Sequence, residues 1–357
     1  MAERGTHFSA LDSLRGIAAV IVVLHHIEWG SLISTNPLIT NGYLMVDFFF
    51  VLSGFVIALN YSGRLRDGGL GRFIWLRFWR LYPLHLLMLF VFVGIEVAKW
   101  FAQTRLGIAA GEPAFSQSNG QAFALQLFLL QGFTQPTGLT FNGAAWSISV
   151  EFYAYLLFAV IAVFFRGTVA IAATLSLIGI GLVLTTDLDF AGKCLYGFFL
   201  GCILFRLMPR YELRGLFAEL FPAAALTALA GLIASASYEV AAVFVPPLSA
   251  LVIAAIVSCP NSLVTRALRV GPLLLLGSIS YSVYMVHGAV LWLFNQGLFL
   301  YPASISPMSG TILAAVAVTV TLALASGTYR WVEEPWRRWS KTYPLARFGL
   351  SPEKRVH

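Results

Sequence analysis

Charge is what this 357-residue sequence has least of. Asp, Glu, Lys and Arg together make up 11% of it, against the ~25% usual in soluble domains. Cysteine is nearly absent too. Cys194, Cys202 and Cys259 form no C-x-x-C pair and no even-numbered framework, so neither a disulfide scaffold nor a thiolate metal site is expected. Cys194 and Cys202 would stand ~12 Å apart along one helix, too far to bridge. There is no Walker loop, no G-x-G-x-x-G, no G-x-S-x-G elbow and no H-E-x-x-H. Those absences argue against a nucleotide-driven pump, a lipase-like hydrolase and a zinc protease. A cleaved signal peptide is not expected either: His25, His26 and Glu28 follow the apolar stretch Ile17–Leu24 where small residues would be needed. No repeat of fixed period and no low-complexity linker interrupts the chain.

What the sequence has in abundance is apolar surface. Hydrophobic residues make up 59% and mean hydropathy is +0.80, more than a soluble fold of this size can hide. The solvent for most of the chain is lipid. Runs near the ~20 residues that cross a bilayer fall at roughly 16–34, 43–60, 81–101, 145–165, 168–184, 193–207, 216–235, 240–258, 273–295 and 310–332. A further stretch, 121–134, is short and carries Gln121, Gln126 and Gln131. The positive-inside rule decides whether it crosses. If it does not, the loop 61–80 (Arg64, Arg66, Arg72, Arg77, Arg80) shares the cytosolic side with Arg166, Arg206, Arg210, Arg214, Arg266, Arg269 and the basic tail. Of the 23 basic residues, only Lys99, Arg105 and Lys193 then face outward.

The expectation is an all-α integral membrane protein of about ten transmembrane helices with both termini cytosolic. The loop 102–144 lies outside, its segment 121–134 re-entrant or interfacial. Residues 1–338 form one membrane-embedded domain and 339–357 a short basic tail. No stretch suffices for a separate soluble catalytic domain, so any chemistry belongs to the helices. The net charge of +7 is scattered between apolar runs, which makes nucleic acid an unsuitable partner.

Ionisable side chains inside membrane segments are costly and point to function. On the first helix Arg15 and His26 are eleven residues apart, ~20° apart on the helix face and ~16 Å apart in height, while His25 points ~80° away from Arg15. Taken singly, Arg15 is equally readable as a headgroup anchor and His26 as a histidine satisfied by a neighbour. On the second, Asp47 lies about a turn below the outer surface and is readable as a cap or as a functional carboxylate; Ser53 and Gly54 suit close helix packing. Arg77 and Arg80, at i and i+3 beside Trp75 and Trp79, read either as an interfacial aromatic-basic belt or as a phosphate clamp. Glu151 sits ~8 Å down the fourth span, where an idle carboxylate would be expensive. Tyr284 and His287 are i, i+3 on the ninth. The last span ends in Glu333-Glu334-Pro335, a stop by proline.

Six blocks occur in order over residues 11–338: Arg15 and His26 with ten residues between them, the run Gly42–Phe55 with its FFFVLSGF, Arg77-x-x-Arg80-x-Tyr82-Pro83, WSISVEFYAY from Trp146, GSISYSVYMVH from Gly277, and EEPWR from Glu333. Together they resemble the acyltransferase 3 family of membrane acyltransferases. The resemblance implies transfer of an acyl group, most often acetyl, from cytosolic acyl-CoA to a hydroxyl of a cell-surface polysaccharide or oligosaccharide, in a bacterial inner membrane. It assigns catalytic parts to His26, Arg15 and Glu151. Acyl-CoA binding falls to Arg77 and Arg80; the reading of the residues themselves adds Arg15 and Tyr82 there and gives acceptor or supporting parts to Asp47, Trp146, Ser147, Tyr284 and His287. The resemblance implies no metal and no cofactor beyond acyl-CoA as co-substrate, with glycan and membrane lipid as the other partners. The chain resembles the stand-alone form, without the fused esterase-like domain of some members.

The residues suit that chemistry. The phosphate-rich head of an acyl-CoA cannot enter lipid. Held at Arg77 and Arg80 on the inner face, it would let the thioester arm rise toward His26. A histidine, with an ordinary pKa near ~6.5, suits removal of a hydroxyl proton, and a positioned base is worth ~10²–10⁴ in rate. Arg15 suits a phosphate or the thioester oxyanion, and Glu151 or Asp47 suits orienting the imidazole or holding the sugar. Two alternatives stay open. One is a small-molecule acceptor such as a macrolide or amino acid. The other is a proton-coupled transporter, which would need inverted repeats that are not seen and leaves Arg77 and Arg80 unexplained.

Overall fold

The structure, a computed structural model, describes residues 8–63, 65, 69–108, 112–134, 139–165, 168–208, 212–300 and 305–343. Arg64, Arg66, Arg166, Arg210 and the tail from 344 onward lie outside the described residues. Among those described there is no strand. In chain order the helices are α1 (Ser9–His25), α2 (Pro37–Thr40), α3 (Met45–Tyr61), α4 (Gly69–Arg105), α5 (Gly120–Leu127), α6 (Trp146–Phe164) and α7 (Val169–Thr185). After these come α8 (Asp189–Leu207), α9 (Gly215–Ser235), α10 (Tyr238–Ser258), α11 (Leu263–Ala267), α12 (Gly271–Leu300), α13 (Pro307–Thr328) and α14 (Glu334–Thr342). The chain is an all-α integral membrane protein: among the described residues eight helical stretches are long and apolar enough to cross a bilayer. The remaining two expected spans appear as α1 and α7, each 17 residues, the short end of the crossing range.

Several expected boundaries move, each for a local reason. The first helix ends at His25 instead of continuing to 34, so His26 stands just beyond a helix terminus and the shared-face argument holds only up to that point. The arginines 72, 77 and 80 lie inside α4, whose 37 residues run on from the expected loop into the apolar span. Pro335 does not stop the last helix. The α-helix passes through a π turn at Tyr329–Glu333 and restarts, with Pro335 in the first turn of α14, where a missing N–H costs nothing. Helix therefore continues past residue 338. The stretch 121–134 contains only the eight-residue α5 and a 3-10 turn at Gln131–Phe133. Its glutamines are structural: Gln126 and Gln131, both buried, donate to the carbonyls of Thr140 (2.7 Å) and Ala145 (3.0 Å).

Two compact units can be separated. The first holds the described residues of Met1–His25, Leu32–Asp67 and Leu157–Tyr281. Its centre is α3 against α8, closed by glycines: a Cβ at Gly54 would run into the Phe198 carbonyl, and one at Gly201 into the Val51 carbonyl. Backbone cannot step aside as a side chain can, so these positions admit only glycine, as helix contacts in lipid often require. Phe50, Phe55, Phe198 and Phe199 fill the space around them. The second unit holds His26–Ser31, Gly68–Leu156 and the described residues from Ser282 on. There α14 packs on α4 through tryptophans, with Trp79 stacked on Trp336 at 4.8 Å and Trp75 donating to the Ser340 carbonyl. These rings are thus engaged with protein.

Loop contacts inside each unit constrain the crossings. Asn41 donates to the Ile233 carbonyl, and Tyr43 stacks on Tyr238, so the two loops share a membrane face. An even number of crossings must separate them. That is met when α3, α4, α6, α7, α8 and α9 cross and α5 does not.

Candidate active site

In the first unit, Arg15 is held by close approach of α1 to α12. A Cβ on Gly16 would come 2.7 Å from the Gly277 nitrogen, so glycine at both positions lets the helices touch. The Arg15 guanidinium then donates through Nε to Ser280 Oγ (2.8 Å) and through Nη2 to the Gly277 carbonyl (3.1 Å), with Asp12 at 3.3 Å. Asp47 is 2% exposed, and its Oδ1 accepts no hydrogen bond. The buried Lys193 lies close enough for its charge to act on Asp47, and its ammonium sits 4.7 Å from the Tyr238 ring and 5.8 Å from the Tyr43 ring. His25 turns to α2 and the turn after it, placing Nδ1 3.1 Å from the Ile39 carbonyl and its ring 5.4 Å from that of Tyr43.

His26 goes elsewhere. It is exposed and belongs to the second unit, where its ring centroid lies 5.0 Å from that of His287. His287 is completely buried and donates Nδ1–H to the Tyr284 carbonyl at 2.6 Å. The Tyr284 hydroxyl donates to the Ala144 carbonyl (3.0 Å) and accepts from Ser147 Oγ (2.8 Å), while Asn142 donates to the Met285 carbonyl (3.0 Å). The middle of α12 is thereby clamped to the turn that opens α6. Trp146 is the first residue of that helix. Glu151, one turn on, accepts from the Tyr155 hydroxyl at 2.6 Å and lies within electrostatic reach of Tyr284.

The basic pair on α4 divides. Arg80 forms an ion pair with Glu333, a carboxylate 2% exposed that also accepts from Ser282 Oγ at 2.7 Å. The Arg77 guanidinium lies 5.9 Å from the centroid of the Phe73 ring. Arg77, Arg80 and Arg337 all act electrostatically on Lys341 of α14, as does Glu334, which pairs with Arg337 and Arg338, so four cations share one region with the carboxylates that pair two of them. The Tyr82 hydroxyl donates to the Leu127 carbonyl (3.0 Å), its ring stacked on Phe78 at 4.5 Å.

The structure therefore joins His26, His287, Tyr284 and Ser147 in one contact chain and sets Arg77 and Arg80 among cations; Arg15 and Asp47 are built into the first unit. Sequence reasoning gave no site role to Glu333, read as a helix ending and as part of the EEPWR block, nor to Asn142 and Lys193. A carboxylate directly after an apolar span was the available signal for Glu333. Among the described residues no cluster of His, Cys, Asp or Glu could hold a metal ion.

Comparisons with known proteins bear out the family resemblance. Protein 2 in the picA locus of Rhizobium radiobacter is 36% identical over 155 residues, 40% of this chain and 72% of that protein. Acyltransferase MdmB of Streptomyces mycarofaciens is 31% identical over 168 residues, 44% of this chain and 40% of that one. O-acetyltransferase OatA of Staphylococcus aureus is 24% identical over 93% of this chain, which spans 57% of OatA. No solved structure matches. The model of the acyltransferase domain family matches residues 8–328, and the chain belongs to that family of acyltransferases.

Proposed function

We propose that the protein is an O-acyltransferase of the bacterial inner membrane that moves an acyl group, acetyl foremost, from cytosolic acyl-CoA to a hydroxyl of a cell-surface polysaccharide or oligosaccharide. The observation that carries this reading is an exposed imidazole, His26, backed by a buried one in a family of acyltransferases. His26 takes the acceptor hydroxyl proton as the oxygen attacks the thioester carbonyl carbon. When the carbon–sulfur bond breaks, the same proton passes to the leaving CoA thiolate. Both proton transfers use one residue and leave it unchanged.

Arg77 and Lys341 suit the phosphates of the CoA head, which charge-assisted hydrogen bonds grip well, while Arg80 and Arg337, paired with Glu333 and Glu334, add positive charge beside them. Arg15 suits a phosphate or the thioester oxygen, where charge develops. OatA, named an O-acetyltransferase, supports acetyl and oxygen as donor group and acceptor atom. The test is radiolabelled acetyl-CoA given to purified protein in nanodiscs, with thiol release and label on oligosaccharide followed together. Release of thiol with label on glycan is expected; intact acetyl-CoA with every hydroxyl acceptor offered would refute the reading.

A further inference from the structure

We infer that a pocket between α3, α6, α7 and α8 binds one anionic phospholipid of the cytosolic leaflet, its phosphate at Arg206 and an acyl chain inside. The pocket lies wholly within the first unit. Its space, counting the open mouth, is about 390 Å³. Three of its wall positions are alanine: Ala58 on α3, Ala162 on α6 and Ala172 on α7. A side chain that ends at Cβ cannot reach across to a neighbouring helix, so space remains where interiors are otherwise closely filled. Phe158, Ile161 and Phe199, all buried, complete an apolar wall.

The mouth is chemically different. Ser62, Thr168 and Arg206 line it, the last two exposed. Ser62 follows the end of α3, Thr168 precedes α7, and Arg206 is in the last turn of α8. These helix ends share one membrane face, the one that arginine placement makes cytosolic. Among the described residues Arg206 has no ion pair, and no carboxylate lines the pocket. Thr168 Oγ1 caps α7 by accepting from the Ile171 N–H at 3.4 Å, which leaves its own O–H to donate outward. A guanidinium beside hydroxyl donors complements a phosphate, and a wall of carbon complements a hydrocarbon chain. A free phosphate would leave that wall unused. An uncharged lipid would leave Arg206 unanswered. A zwitterionic head brings an ammonium, which Arg206 repels and no carboxylate at the mouth receives. An anionic phospholipid matches both ends, and basic pockets between membrane helices on the cytosolic side bind such heads.

The experiment measures lipid retention by the full-length protein with native mass spectrometry after release from detergent. The probes are phosphatidylglycerol, phosphatidylethanolamine with the same chains, and glycerol phosphate as a head without a tail. Wild type should retain one phosphatidylglycerol in preference to phosphatidylethanolamine, and glycerol phosphate should not displace it. Arg206→Gln should weaken phosphatidylglycerol binding roughly tenfold or more, as loss of a charge-assisted contact implies, and erase the preference. Ala172→Phe, which fills the pocket, should weaken both lipids. Arg206 is exposed, so its variant keeps the fold and decides the matter if Ala172→Phe does not fold. Equal retention of the two lipids by wild type overturns the inference. So does phosphatidylglycerol affinity left unchanged by Arg206→Gln or by a folded Ala172→Phe, and so does glycerol phosphate that displaces the lipid. Palmitoyl-CoA that displaces phosphatidylglycerol from wild type, and binds Arg206→Gln more weakly, would give the pocket to the acyl donor and overturn it too. None of these readings requires acyl transfer, so the proposed function stands or falls separately.

Discussion

Two arginines three residues apart look interchangeable in a sequence and are not so in the fold. Arg80 neutralises Glu333, which is buried with Ser282 as its other partner; removing one member of a buried ion pair leaves an uncompensated charge, at about 3–5 kcal/mol. Arg80→Ala should therefore lower thermal stability and yield, and Arg80→Ala combined with Glu333→Gln should recover part of both. Arg77→Ala should leave stability near wild type and raise KM for acyl-CoA by roughly tenfold or more, as loss of a charge-assisted contact of ~1.5–3 kcal/mol implies. Thermal unfolding measured beside KM separates the two; equal melting temperatures for both single variants would remove the Arg80–Glu333 argument. The histidine doublet behaves likewise. His26→Ala should abolish transfer, whereas His25→Ala, which gives up the Ile39 carbonyl contact, worth ~1 kcal/mol, and the ring contact with Tyr43, should keep most activity at matched expression. Spacing from Arg15 singled out His26 in the sequence, but the helix that spacing assumes ends at His25. The partner at His287 was not legible, because 261 residues separate the two and only the packing of unit two joins them. Glu333 was hidden for a different reason: in a Glu-Glu-Pro ending, nothing local tells which carboxylate turns inward.

Helices show where pattern reading is reliable and where it stops. The spans 145–165, 216–235 and 240–258 match α6, α9 and α10 to within two residues at each end, since long apolar runs flanked by charge leave few alternatives. At α4 the apolar run began at 81, yet helix starts at Gly69. Its first turns are amphipathic, with Trp75 and Trp79 against α14, and tertiary packing overrides the charge that suggested a loop. The proline at 335 misled for the opposite reason, because a π turn before it converts an interior proline into a first-turn one. Close helix contacts were foreshadowed by the small residues at 53 and 54. Gly54→Leu should prevent α3 from seating on α8, since its first side-chain atom would meet the Phe198 carbonyl. Gly94→Ala, on α4 with open space around it, should be neutral or slightly favourable, as Ala replaces Gly in a helix interior with about 0.5–1 kcal/mol gain. Size-exclusion profiles of the two variants check this; a monodisperse Gly54→Leu protein would mean that the interface tolerates separation.

At the scale of the whole chain, topology follows from two independent constraints. Arginine placement favours a count in which 121–134 does not cross, and the contacts support the same parity from inside each unit. Asn41 reaches Ile233, Leu213 reaches Ser258, Trp75 reaches Ser340 and Trp29 reaches the Gly310 carbonyl. A crossing at α5 would put the first and last of these pairs on opposite faces, and a hydrogen bond cannot span a ~30 Å hydrocarbon layer. Which face is cytosolic rests on charge alone. The prediction is that Gln117, exposed in the long loop between α4 and α6, faces outward, and that Glu212, exposed between α8 and α9, faces the cytosol. The three native cysteines are buried, so single cysteines at 117 and 212 can be read against a low background. In intact cells a membrane-impermeant maleimide should label Gln117→Cys at once and Glu212→Cys only after permeabilisation. The opposite assignment would invert the protein and place Arg77, Arg80, Arg337 and Lys341 away from the CoA pool. Labelling of both from one side would break the parity that the loop contacts require. Only the predicted result leaves the basic cluster of α4 and α14 on the side where acyl-CoA is made.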